Sequence, residues 1–145
     1  MRGKSKDRTK DGSGAPDALP GLYAEPAAAG FPSPAEGYRE GSLDLNELLV
    51  KNQPATFFVR ASGDSMTGAG IFHGDILVVD RSVEPANGKI IVAAVDGGFV
   101  VKRLEIGKEG TVLRSENPGS SDIRPEDGGE GFRAWGVVTA AIHVF

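Results

Sequence analysis

A compact, mostly β domain, either a sandwich or a distorted barrel, is the fold class that residues 43–145 predict. Three observations lead there. Six short runs are rich in Val, Ile and Phe, turn signals separate them, and only one short stretch has helical character.

The helix comes first, near residues 44–51. Asp44 is placed to cap it, with Glu47 three residues on, and Leu43 can pack on Leu48 as a hydrophobic staple. The strands follow at 56–61, 75–80, 89–95, 98–105, 111–116 and 135–144. Between them stand Asn87-Gly88, Asp96-Gly97-Gly98, Gly107 to Gly110 and Asn117-Pro118-Gly119, all turn formers. Asp96-Gly97-Gly98 between two apolar runs is a hairpin signal that puts Lys102 on the returning strand. There is no internal repeat.

Residues 1–42 read differently. Gly, Pro, Ala and charge dominate, large apolar residues are few, and neither a helical nor a strand period emerges. The expected organisation is a flexible arm (1–42) on a β-rich domain (43–145). One stretch of the arm suits a protease, which binds its substrate extended: Ala27-Ala28-Ala29-Gly30-Phe31-Pro32-Ser33-Pro34. Pro32 biases Phe31 away from helix, and Ala29 and Gly30 are small enough to let a nucleophile reach the carbonyl between them. The stretch from Gly30 to Asp44 spans up to about 46 Å when extended. That is enough to reach a site on its own body or on a partner's.

Composition narrows the classes. A chain of 145 residues, 39% hydrophobic and 25% charged, has room for one core and the balance of an ordinary soluble protein. It has no cysteine, which excludes disulfides and thiolate chemistry. His73 and His143, the two histidines, are far apart in sequence, so neither a metal site nor a cofactor is expected. No apolar run reaches the ~18 residues of a membrane span, and the charged N-terminus has no apolar stretch after it. A cytoplasmic protein with no membrane contact is the expectation. The charge is unevenly spread: Arg2, Lys4, Lys6, Arg8 and Lys10 against Asp7 put +4 on the first ten residues, leaving −8 on the rest to reach the net −4. An acidic body argues against a core that itself grips DNA.

Ser65 and Lys102 carry the chemistry. Ser65 lies in Ala61-Ser62-Gly63-Asp64-Ser65-Met66, after the run Thr56-Phe57-Phe58-Val59-Arg60, and Lys102 follows Phe99-Val100-Val101. A serine hydroxyl is a weak nucleophile until a base takes its proton. A lysine serves as that base only as the neutral amine, which a free lysine is about 4 times in 10,000 at pH 7. Burial disfavours the charged form and lowers the pKa. Taken singly, Gly63-Asp64-Ser65 reads as a turn and Lys102 as a solvated strand position. The ordered set of Gly63-Asp64-Ser65-Met66, Gly70-Ile71, Gly74-Asp75, the run Ile76 to Asp80 and then Lys102 points to a site.

These residues resemble the UmuD family of LexA-like Ser–Lys self-cleaving peptidases, from about Gly30 to the C-terminus. The motifs are Gly30-Phe31-Pro32-Ser33-Pro34, Leu43-Asp44-Leu45-Asn46, Ala61 to Met66, Gly74-Asp75, Ala93-Ala94-Val95-Asp96-Gly97, Val101-Lys102 and Trp135-Gly136-Val137-Val138. The resemblance implies that Ser65 is the nucleophile and Lys102 the general base. It places the cut at Ala29–Gly30 and the oxyanion on backbone N–H groups of Ser65 and Met66. It also implies a homodimer, cleavage promoted by the RecA filament on single-stranded DNA, and a processed product that joins a UmuC-like Y-family polymerase in SOS mutagenesis. Alanine before Gly30 matches LexA-type repressors, where the best-known UmuD has cysteine. The basic segment 1–10 matches nothing in the pattern.

Other readings are weaker. A repressor needs a DNA-binding domain upstream, and only 29 residues without helical period precede the proposed cut. A signal peptidase needs a membrane anchor. A non-catalytic dimeric module that regulates a polymerase, or another soluble Ser–Lys peptidase, stays open at this point.

Overall fold

The computed structural model describes residues 19–23, 27, 39–125 and 132–145. The chain divides into two compact units, Met1–Leu48 and Leu49–Phe145. In the first, β1 (Gly21–Tyr23) pairs antiparallel with β2 (Arg39–Ser42), Leu22 opposite Gly41. No strand is expected there from the sequence. The pair is three residues against four, with an irregular register, too short to leave an alternating pattern. Helix α1 (Leu45–Leu49) opens as its sequence predicts: Asp44 Oδ1 accepts the Asn46 N–H at 3.0 Å, satisfying one of the free donors at the helix start.

The second unit is one antiparallel sheet of six strands: β3 (Thr56–Arg60), β4 (Ile76–Asp80), β5 (Ile90–Val95), β6 (Gly98–Gly107), β7 (Gly110–Arg114) and β8 (Arg133–Ile142). Their order is β3-β4-β8-β5-β6-β7, so the sheet runs from β3 to β7 without closing into a barrel. Each strand lies within two residues of its predicted bounds. The hairpin after β5 takes the expected form, with Asp96 at φ 47° and Gly97 at φ 83°, the left-handed pair a tight two-residue turn requires. That turn sets the register that places Lys102 opposite Ile91.

Strand β5 shows why the middle of the sheet is apolar on both faces. Val92 joins Leu77, Val79, Ala61, Met66 and Ile71 in one core cluster. Its neighbours Ile91 and Ala93 point the other way, into a cluster with Leu104, Leu113 and Val137. In the first cluster, Met66 and Ile71 belong to the loop after β3 rather than to a strand. Burying them pins that loop against the sheet.

Leu77 is fully buried at the centre of that cluster. Leu77→Ala is expected to cost about 2–5 kcal/mol of stability and to lower the urea midpoint accordingly. An unchanged midpoint would mean the first cluster does not hold the sheet together.

Candidate active site

Ser65 sits on a loop fixed at both ends. As the chain leaves β3, the Ala61 N–H donates to Asp75 O and the Gly74 N–H to Ala61 O, both at 2.8 Å. Gly63 donates its N–H to His73 Nδ1 at 2.9 Å. Beyond Ser65, the Met66 carbonyl accepts from the N–H groups of Ala69 at 3.0 Å and Ile71 at 3.2 Å. Asp75 braces the far side of the loop. Its carboxylate accepts the Phe72 N–H at 2.8 Å and pairs with His143. The Phe72 N–H first, and His143 after it, hold this buried carboxyl below its ordinary pKa, against the effect of burial. Thus His73 and His143, which carry no chemistry in the sequence reading, tie down the loop and the turn behind it.

Lys102 comes from β6 and is buried. Its Nζ donates to Ser115 Oγ at 2.7 Å, and Ser115 Oγ donates in turn to Ser121 O at 2.7 Å. Burial pushes the Lys102 amine below its ordinary pKa, and the carboxylate of Asp122, the smaller effect, acts in the opposite direction. Ser65, Met66 and Lys102 line one cleft of about 200 Å³, walled by Val59, Ala61 and Phe99. Ser65 and Lys102, 37 positions apart in sequence, therefore border the same cleft. Ala29 and Gly30 lie outside the described residues.

One short segment joins the serine loop to the lysine strand. Ser115 holds Lys102 Nζ. Glu116 donates its N–H to Ser65 O at 2.7 Å, and its carbonyl accepts the Gly68 N–H at 2.7 Å. Asn117 Nδ2 donates to Asp64 O at 2.7 Å. The approach at Gly68 is so close that an added Cβ would lie 2.5 Å from Glu116 O, so a glycine is needed there. Glu116 also pairs with Arg103 on β6 at 2.7 Å.

The sequence reading gives Ser115 and Glu116 only a strand position and Asn117 only a turn, and assigns none of them to the site. A signal for Ser115 was present. The turn at Gly107 to Gly110 pairs Arg103 with Arg114, and one further step along that register sets Ser115 opposite Lys102. The contacts of Glu116 and Asn117 with the serine loop are non-local and leave no periodic trace.

The family description Peptidase S24-like matches residues 21–139. Over 122 residues the chain is 46% identical to Protein SamA of Salmonella typhimurium, covering 84% of each chain. It is 43% identical over 137 residues to Protein ImpA of Escherichia coli, covering 94% of this chain and 92% of that one. Protein MucA of Escherichia coli is 40% identical over 126 residues, 83% of this chain and 82% of its own.

The burial of Lys102 has a consequence for stability. With the folded pKa below the unfolded one, the fold carries its full penalty at pH below the folded pKa. Stability then rises with pH towards the ordinary lysine value of about 10.4. Lys102→Met, which fills the same space without a charge, is expected to raise Tm by a few degrees at neutral pH and by less at high pH. Thermal melts at the two pH values check this, and a lower Tm at neutral pH would show that the amine is well solvated.

Proposed function

The chain belongs to the Peptidase S24-like family, with UmuD-like relatives along most of its length, and on that premise we propose that it is a self-cleaving serine peptidase. Ser65 is the nucleophile and Lys102 the general base. The observation that carries this reading is the shared cleft, lined by a half-buried serine and a buried lysine of lowered pKa.

The chemistry balances on these two groups. Neutral Lys102 takes the Ser65 proton as Oγ attacks the carbonyl carbon of Ala29. The resulting ammonium returns the proton to the nitrogen of Gly30 as the peptide bond breaks. An ester between Ser65 and the Ala29 carbonyl remains, and water activated by the same amine hydrolyses it. The N–H groups of Ser65 and Met66, which donate to no other group among the described residues, are the oxyanion donors in this reading. Gly63, Asp64 and the turn Thr67–Ala69 hold them on a pinned loop, so little reorganisation is required of them.

The processed product follows from the same reading. Cleavage at Ala29–Gly30, promoted by the RecA filament on single-stranded DNA, shortens the arm (1–42) and leaves the β domain as a homodimeric subunit of an error-prone, UmuC-like Y-family polymerase. What supports this is the likeness to SamA, ImpA and MucA over most of the chain.

Intact-mass spectrometry of the full chain incubated at high pH is the direct test. Two fragments that divide between Ala29 and Gly30, absent in Ser65→Ala, are the expected result. Absence of cleavage even with RecA filaments present would favour a non-catalytic polymerase-binding module. The rate is expected to rise from neutral pH and to level off below the ordinary lysine pKa, since the neutral fraction of Lys102 grows with pH and its pKa is lowered. A rate flat across that range would remove Lys102 as the base. Gly30→Glu is expected to abolish the split by placing bulk and charge at the scissile bond, and normal processing would put the cut elsewhere.

A further inference from the structure

We propose that Ser115 is a positioning residue for the general base, a role that rests on the self-cleavage reading: its hydroxyl holds Lys102 Nζ by accepting one of its hydrogens. Proton counting sets the direction of that bond. A hydroxyl has a single hydrogen to donate, and Ser115 gives its own to Ser121 O at 2.7 Å. Towards Lys102, at 2.7 Å, it is therefore an acceptor only. A neutral amine has two hydrogens and one lone pair. With one hydrogen held by Ser115, the lone pair is kept off Ser115 and is free to face the cleft that Ser65 also lines. A freely rotating amine would spend part of its time with a hydrogen in that place, where it cannot accept a proton.

Ser115 is itself held firmly enough to do this. Its N–H donates to Asp122 Oδ1 at 2.9 Å, and Asp122 Oδ2 is paired with Arg114 at 2.8 Å. Asp122 is thus anchored to the same segment, and its charge is partly offset by Arg114 before it reaches Lys102. The other charges nearby are engaged as well: Arg103 with Glu116, Arg114 with Glu105, and Arg60 on the cleft wall with the carbonyl of Gly74. Ile91, on the strand at the other side of Lys102, offers only apolar surface. Hence Ser115 is the neutral partner that meets the amine directly. The next residue, Glu116, donates to Ser65 O, so the backbone that carries the positioning hydroxyl also fixes the nucleophile.

The test compares Ser115→Ala and Ser115→Thr with the unaltered full chain, following self-cleavage from pH ~7 to ~10 and the urea midpoint of each. For Ser115→Ala the limiting rate at high pH is expected to fall about 10- to 100-fold, the scale of a misaligned catalytic group. Its pH midpoint should move down, because the ammonium loses an acceptor while the neutral amine loses less. Ser115→Thr keeps the hydroxyl and should cleave within a few-fold of the original. Should Ser115→Ala not fold, Ser115→Cys, of similar size but a weak acceptor, replaces it. A Ser115→Ala protein with unchanged rate and midpoint overturns the proposal, and so does a Ser115→Thr protein as slow as Ser115→Ala. A second readout needs no cleavage: the pH titration of the Lys102 ¹³Cε resonance in Ser65→Ala, with and without Ser115→Ala. A lower midpoint on removing the hydroxyl is expected, and an unchanged one overturns the assignment. If the unaltered chain never cleaves, the self-cleavage reading fails while this titration still decides the contact.

Discussion

A lysine amine kept out of water is the constraint on which the rest of this structure turns. An isolated buried ammonium is among the least favourable groups a protein can hold. The fold meets the difficulty by lowering the pKa of Lys102, so that the neutral form becomes accessible, and by supplying a neutral acceptor in Ser115. Asp122, the carboxylate among the described residues that acts on Lys102, is shared with Arg114 and raises the lysine pKa by less than burial lowers it. A full ion pair would have produced the opposite result, raising the pKa and leaving the lysine permanently charged. The placement of Lys102 between Ile91 on β5 and a serine beyond β7 is thus what keeps its charged form disfavoured, as the proposed role of base requires.

The proposed nucleophile is constrained by different means. Ser65 is on a loop, and a loop positions a side chain well only when its backbone is over-determined. Here Met66 and Ile71 insert into the first core cluster, His73 holds Gly63, and the segment 115–117 bonds to Asp64, Ser65 and Gly68. Apolar burial supplies most of the anchoring, and the hydrogen bonds supply direction. The absence of a side chain at Gly68 lets two backbones approach closely enough for a bond at 2.7 Å. Any larger residue there would push the serine loop away from the segment that also holds the lysine.

The strands were legible because their residues obey short-range rules. The continuous apolar run of β5 and the Asp96-Gly97 turn specify where the hairpin begins, the turn sets which residue faces which, and these rules reach as far as Lys102. The position of β8 between β4 and β5 was not legible, since the last strand in sequence finds its place only through long-range pairing. The β1–β2 pair is illegible for the opposite reason: it is too short for any period to register. At the site, Ser65 and Lys102 stood out through their motif, whereas Ser115 carries no motif and becomes visible only when the β6–β7 register is counted through the turn.

That register explains why the supports of Ser65 and Lys102 lie on a hairpin at all. Lys102 and Ser115 are joined by only twelve intervening residues, closed by a turn between Gly107 and Gly110. Five ladder pairs, from Gly107–Gly110 to Arg103–Arg114, lie between that turn and the lysine. Antiparallel pairing thereby sets the separation of amine and hydroxyl locally, with little entropy lost in closing so short a loop. The longer-range problem, bringing Ser65 to Lys102, is reduced to docking one loop against one end of a preformed hairpin. Glu116 performs that docking from the residue next to Ser115, bonding Ser65 through its backbone and Arg103 through its side chain. The geometry of the pair therefore depends on two neighbouring residues in one segment, and a distortion there would be felt by Ser65 and Lys102 together.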